Sequence, residues 1–290
     1  MPILKPEQRS TFTATYNRSS FAFDHSLHEL DLFDIEQLRE LAKRLPDTAY
    51  YSTADSTVGD GWKRLGAERS SLDATIAMLK ETNSLILLKH CEKDPRWGAL
   101  FRALMREVVE YAGNGLGADL DVGRTTIVIS SARRVTPYHI DAEVNFLLQV
   151  RGRKLLHVFD SNDRTILSDA ELEAFYGGDY DGARYRADRE SEARVFPLEP
   201  GRGVHIPLHA PHWAQNLDDV SVGVSLNFNL RSAARLAKLY KINNRLRKAG
   251  FMPAPPGACA WRDEVKVAAF TGLTGARSLL QLRRPKAVTT

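Results

Sequence analysis

Residues 220–230, Val-Ser-Val-Gly-Val-Ser-Leu-Asn-Phe-Asn-Leu, alternate without a break between apolar and small polar side chains. A period of two belongs to a β-strand. It places Val220, Val222, Val224, Leu226, Phe228 and Leu230 on one face and Ser221, Gly223, Ser225, Asn227 and Asn229 on the other. A face turned to bulk water usually carries Lys, Glu or Thr. Hydroxyls, a glycine and amides suit the inside of a barrel mouth, against a polar ligand, better than a plain exposed face. A chain built around such a strand calls for a layered or closed β architecture.

A second run of strand character opens at His139-Ile140-Asp141 and continues with Glu143, Asn145, Leu147 and Gln149 on one face and Val144, Phe146, Leu148 and Val150 opposite. Residues i and i+2 of a strand aim the same way, so His139 and Asp141 converge. A second imidazole, from His212 in the run Pro207-Leu-His-Ala-Pro-His212, completes a set that can hold a non-haem Fe(II) on one side and leave the other side open. That set points to an oxygenase. With eight histidines and 36 acidic residues in 290, about one His-x-Asp/Glu is expected by chance. His90-Cys91-Glu92 is such a case, running into a predicted helix start at Asp94-Pro95 with no continuing alternation. His205 and His209 compete with His212 for the third position; His205 falls within a predicted strand and His209 in a loop, and His212 is preferred. His157, inside an apolar strand, reads as a core histidine.

Arg151-Gly152-Arg153-Lys154 reads as a hairpin turn. With Gly152-Arg153 as a two-residue loop, Lys154 pairs with Arg151 and shares the face of Gln149, Leu147 and Asn145. A three-residue loop reverses that parity, and a solvated turn lysine is the plainer alternative. Against it stands the apolar strand Lys154-Leu-Leu-His-Val-Phe-Asp160, in which an inward lysine needs an anionic partner.

The stretch Val135-Thr136-Pro137-Tyr138-His139-Ile140-Asp141, with Asn145-Phe146, Gly152-Arg153-Lys154, Pro200-Gly201, Ile206-Pro207, His212 and Asn227-Phe228, resembles the Jumonji-C hydroxylases, most closely the branch of the asparaginyl hydroxylase acting on hypoxia-inducible factor. The landmarks run from about 125 to 230, a little over a third of the chain. The resemblance implies a mainly β fold with α flanks, a cupin-like jelly roll or double-stranded β-helix. It implies an Fe(II)- and 2-oxoglutarate-dependent dioxygenase that hydroxylates a substrate C–H, with succinate and CO2 as coproducts. His139, Asp141 and His212 would be the catalytic iron ligands, Thr136 and Lys154 the partners of the distal carboxylate of 2-oxoglutarate, and Asn145 and Asn227 polar lining of the cosubstrate pocket. A peptide or protein side chain is the favoured substrate by analogy, with small molecules open. Two departures alter the substrate-facing wall: Gly201-Arg202-Gly203 where the family often has Gly-Asp, and His209-Ala210-Pro211 where aromatics commonly precede the distal histidine. Two other classes compete: a cupin-type metalloenzyme working on a small metabolite without 2-oxoglutarate, and a non-catalytic jelly-roll binding module. Thr136 and Lys154 separate the first class from the second, and the intact triad separates both from the third.

Three regions are expected: a mixed α/β part over 1–120, the β-helix core over 121–230 and a helical part over 231–290. Helices are predicted over 34–45, with Asp34 as cap and Pro46 as stop, over 72–80 behind Ser70 and Asp73, and over 96–111. A strand over 84–90 would extend the barrel's sheet. The long polar segment 160–193 reads as a lid or substrate-binding insertion, or else as a tolerated surface loop. The basic helix over 231–249 holds Arg231, Arg235, Lys238, Lys241, Arg245, Arg247 and Lys248 and no acid, beside a stripe of Leu236, Leu239, Tyr240 and Leu246. That stripe favours packing or a homodimer over nucleic acid. Residues 251–257 break the helix, and a frayed basic tail is expected at 283–286. Cys91 and Cys259 form no disulfide framework or zinc spacing, the N-terminal stretch lacks a signal-peptide core, and no apolar run approaches the roughly 18 residues a membrane span needs. A cytoplasmic location without a membrane partner is the expectation.

Overall fold

The alternating runs build two antiparallel sheets, seen in a computed structural model that describes residues 2–45, 49–61 and 72–270. In chain order the strands are β1 (Phe21–Asp24), β2 (Ala49–Ser52), β3 (Leu85–Lys89), β4 (Leu120–Ser130), β5 (Val135–His139) and β6 (Val144–Arg151). There follow β7 (Lys154–Val158), β8 (Arg194–Leu198), β9 (Arg202–Ile206), β10 (His212–Asn216) and β11 (Ser221–Leu230). One sheet has the order β1-β9-β6-β11-β4-β3-β2 and the other β5-β10-β7-β8. Leu156, Val158, Phe196 and Leu198 of the smaller sheet meet Val204 and Ile206 of the larger one. The two sheets thus close over each other as a cupin-like jelly roll, with helices on its flanks.

The helices are α1 (Arg9–Thr15), α2 (Ile35–Arg44), α3 (Leu72–Ala77), α4 (Gly98–Ala112), α5 (Asn114–Asp119), α6 (Asp169–Tyr176) and α7 (Arg231–Lys248), and residues 260–270 are also helical. The main core lies outside the jelly roll. Val222, Val224, Leu226 and Phe228 of β11, with Phe146 and Leu148 of β6, pack in one cluster against Phe12, Leu38, Phe101 and Leu104 of the N-terminal helices. Phe12 stacks on Phe146 with ring centroids 5.6 Å apart. Each such fully buried side chain stabilises the fold by about 1.5–3 kcal/mol, so the outer face of the large sheet anchors the chain. Its inner face is left for chemistry.

Several sequence expectations change in detail. α2 starts at Ile35, but Asp34 makes no side-chain cap; its carboxylate accepts from Arg151 Nη1 at 2.8 Å instead. α3 stops at Ala77, short of 80, and the Asp73 carboxylate is held by the Arg39 guanidinium. Pro46, Ser70 and the 283–286 tail lie outside the described residues. α4 begins at Gly98 rather than 96, because Asp94 Oδ1 accepts from the backbone N–H groups of Arg96 and Trp97 just before it. β3 is the predicted strand, and it extends the large sheet between β4 and the edge strand β2.

The hairpin at 151–154 is overturned. β6 and β7 belong to different sheets, and Lys154 pairs with Asn216 and Leu198, not with Arg151. Gly152 carries the chain across with φ +67°, where an added Cβ would lie 2.4 Å from the Val220 carbonyl oxygen.

The 160–193 segment is not a bare loop. Ser168 and Glu171 form a capping box that starts α6, and Leu172 and Phe175 pack with Tyr138 and Trp213 of the smaller sheet and with Ile140 on the loop after β5. Tyr240 of α7 joins the same cluster and stacks on Tyr176 with centroids 5.6 Å apart. The α7 stripe is thus covered in part within the chain: Leu239 and Tyr240 are buried, and Leu236 and Leu246 are half-buried. Several of its cations are also engaged: Arg247 makes a bidentate pair with Glu173, at 2.6 and 3.1 Å, and Arg235 pairs with Glu264 at 2.6 Å. Cys91 and Cys259 are both free. No described helix is long and apolar enough to cross a membrane.

Candidate metal centre

His139 ends β5 and His212 begins β10, directly opposite it in the register of the smaller sheet. Asp141 follows on the loop two residues later. The ligand atoms of the three side chains lie within 4.8 Å of one another. The imidazole centroids are 4.1 Å apart, and His212 Nε2 is 3.7 Å from Asp141 Oδ2. Each imidazole is oriented by its own backbone. His139 Nδ1 donates to the Pro137 carbonyl at 2.8 Å, and His212 Nδ1 donates to the Ala210 carbonyl at 2.9 Å. A carbonyl only accepts, so the proton sits on Nδ1 and Nε2 is the deprotonated nitrogen, the form a metal ligand requires. Burial pushes both imidazoles down to about 4, so they are neutral at physiological pH. The Asp141 carboxyl is raised above its ordinary range, again chiefly by burial.

The rival histidines are used elsewhere. His205 is fully buried, its Nδ1 donating to the Asn145 carbonyl and its Nε2 accepting from the Asn17 N–H. His209, at φ +61°, accepts from the Tyr176 hydroxyl at 2.5 Å. His157 stacks on Trp213 with centroids 3.9 Å apart and lies 2.6 Å from Glu190, an outer-face packing role rather than a ligand's. His90 follows β3 with a left-handed backbone at the start of a short 3₁₀ turn; it lines the cavity but does not join the His139, Asp141 and His212 cluster.

A cavity of about 770 Å³ opens over the triad, and Thr136, Asn145, Lys154 and Asn227 all line it. Lys154 faces inward as expected, although through the strand crossing and not through a hairpin. It is 4% exposed and makes no ion pair among the described residues. Burial lowers its ammonium to about 8. The Asn145 amide donates to Asn227 Oδ1 at 2.9 Å and to Ser225 Oγ at 2.7 Å, locking the two amides together across β6 and β11. Of the small polar face of β11, Ser225 and Asn227 reach the pocket, whereas Ser221 accepts from Gln149 at 2.9 Å.

Sequence reasoning missed one wall. Leu85, Leu87 and Lys89 of β3 and Arg124, Thr126 and Val128 of β4 also line the cavity, joined by Phe175 and Tyr180 of the 160–193 segment, for which a substrate-binding insertion is one of the two expectations. The alternation of the β3 and β4 runs carried that signal.

No protein-family model matches the chain. Among curated proteins, the human HSPB1-associated protein 1 is 25% identical over 154 residues, 49% of this chain and 31% of that protein's own length. The bovine protein of the same name is 26% identical over 110 residues, 35% of this chain and 23% of its own. The chain thus spans less than a third of either of these relatives. The Escherichia coli ribosomal oxygenase YcfD superimposes over 99% of this chain and 70% of its own, with a TM-score of 0.53 and 16% identity. Its complex with cobalt and 2-oxoglutarate gives a TM-score of 0.56 at 15% identity, over 99% and 69% of the two chains. At these identities the likeness is one of fold.

Proposed function

We propose that this chain is an Fe(II)- and 2-oxoglutarate-dependent oxygenase of Jumonji-C type that hydroxylates a C–H bond. Lys154 is the observation that carries the reading. A buried ammonium without an anionic partner is costly, and a cupin that uses no α-keto acid has no need of one. Lys154 and Thr136 line the same cavity as the triad, and their ammonium and hydroxyl would hold the far carboxylate of a dicarboxylate bound there.

The residues present fit both groups. Two neutral imidazoles and one carboxylate are the donor set for a divalent iron with open positions, and His139, Asp141 and His212 would hold it. Bound there, iron and 2-oxoglutarate supply the oxidising chemistry, with dioxygen consumed and succinate and CO2 released. The protein's share is placement. Pro137 and Ala210 fix the imidazole rings, Lys154 and Thr136 set the direction of the cosubstrate, and the paired amides of Asn145 and Asn227 form a rigid polar wall. The YcfD structure with cobalt and 2-oxoglutarate supports this reading, and that neighbour's being a ribosomal oxygenase favours a peptide or protein side chain as substrate.

Calorimetric titration of the metal-loaded protein with 2-oxoglutarate is the test. Lys154→Met should weaken binding by about 2–3 kcal/mol, the scale of a charge-assisted hydrogen bond whose partner is left unpaired. Equal affinity in both proteins would move the chain to a cupin of another chemistry.

A further inference from the structure

The cavity has the size of a site for a drug-sized ligand, more than a five-carbon diacid fills, and part of the extra width comes from β3, which lies between β4 and the edge strand β2. β3 and β4 run side by side, with Leu85 opposite Ser130, Leu87 opposite Val128 and Lys89 opposite Thr126. Their alternation sends Ile86, Leu88, Ile127 and Ile129 to the outer core. The same alternation turns Leu85, Leu87, Lys89, Arg124 and Val128 to the pocket. The wall is thus an apolar strip, Leu85, Leu87 and Val128, that ends in two cations.

Charge decides what suits that strip. Arg124 has a partner, Glu143, at 3.7 Å. Lys89 is exposed to the pocket and makes no ion pair or hydrogen bond among the described residues. It shares the lining of the cavity with Asp141 and Glu143. Once a divalent cation sits at the triad, the charge of Asp141 is taken up by the metal, and that of Glu143 is answered by Arg124. Lys89 then remains as an uncompensated cation beside the reacting centre.

We infer that Lys89 selects a substrate segment that carries a carboxylate side chain next to an apolar residue, the carboxylate meeting the ammonium and the apolar residue lying on Leu85, Leu87 and Val128. What happens to that segment rests on the oxygenase reading; the preference for its charge does not.

Saturation-transfer NMR on the full chain, loaded with Zn(II) and 2-oxoglutarate, tests it with short capped peptides of sequence Ala-Leu-Xaa-Leu-Ala in which Xaa is Asp, Glu, Asn, Gln or Lys. The acidic members should bind roughly fivefold more tightly than their amide counterparts, the weight of one solvent-screened charge pair, and the Lys member least. Lys89→Met should level the series and Lys89→Arg should keep it. Equal signals across the panel, no signal from any member, or a preference that survives Lys89→Met overturns the inference. The 2-oxoglutarate signals of the same samples form a separate readout. Their absence refutes the cosubstrate reading while leaving the peptide comparison legible.

Discussion

Replacing Lys154 by Met should make the free protein more stable while crippling its cosubstrate site. The side chain is 4% exposed, and its ammonium falls from the ordinary 10.5 to about 8 because burial disfavours the charge. At roughly 1.4 kcal/mol per unit, that displacement places the cost of holding the charged form in the fold at about 3 kcal/mol. Below pH 8 both folded and unfolded chains carry the proton, and the fold bears the whole cost. Between 8 and 10.5 the folded chain has released the proton while the unfolded chain keeps it, so wild-type stability climbs relative to the variant. Above 10.5 the penalty is gone. Met fills a similar volume without a charge, so Lys154→Met should exceed wild type by about 3 kcal/mol in urea denaturation at pH 7, and the gap should close by pH 11. Wild-type affinity for 2-oxoglutarate should fall in parallel above pH 8, as the ammonium is lost. A variant less stable than wild type at pH 7, or a gap independent of pH, would refute the picture of an uncompensated buried cation.

Three further outcomes follow from the geometry. Asp141→Ala should lose iron by more than about 100-fold in affinity, beyond the usual effect of an outer-shell change; metal analysis after dialysis reads it, and unchanged stoichiometry would remove Asp141 from the ligand set. Gly152→Ala should destabilise the chain by about 2 kcal/mol or more, because φ +67° and the Val220 carbonyl at 2.4 Å from the new Cβ both oppose it; a denaturation midpoint within error of wild type would contradict the crossing described for β6 and β7. Tyr240→Ala should cost about 3 kcal/mol by opening a cavity between α6 and α7, with no change in sedimentation coefficient; dissociation of a dimer instead would show that the stripe faces a second copy.

Much of the site is legible in the chain because the close spacing of His139 and Asp141 and the alternation of β11 are local signals. The small polar face of β11 announces an inward wall, but the run read as one strand from 139 to 150 is divided: His139 ends β5, Asp141 lies on the loop after it, and β6 begins at Val144 in the other sheet. Lys154 shows the limit of that logic. Its inward direction follows in the sequence from a hairpin that does not exist, because a two-residue crossing between sheets and a two-residue hairpin look alike in sequence, and only the non-local partners Asn216 and Leu198 distinguish them. The choice of His212 over His205 has no local guarantee either: nothing near His205 announces that Asn17, far away in sequence, claims its second nitrogen. α6 escapes a reading by composition although Ser168-Asp-Ala-Glu171 is a capping box, because Gly and Asp residues just after it give the segment the composition of a loop. The α7 stripe is plainly apolar in sequence, but its partner is not written there, since the residue that meets Tyr240 is Tyr176 of that same overlooked helix.

The large sheet keeps its two jobs on opposite sides of the same strands. Odd and even positions of β3, β4, β6 and β11 answer to different demands: one set is clamped under the N-terminal helices and the other looks into an open cavity. Neighbouring residues in sequence are therefore nearly independent as targets of variation. Exchanging Leu87, Arg124, Thr126 or Val128 reshapes what the cavity accepts without touching the packing of Ile86, Ile127 or Ile129. Such a scaffold can drift from one substrate to another by single steps at alternate codons, each tolerated by the fold, and that separation gives a concrete route for redesigning its selectivity.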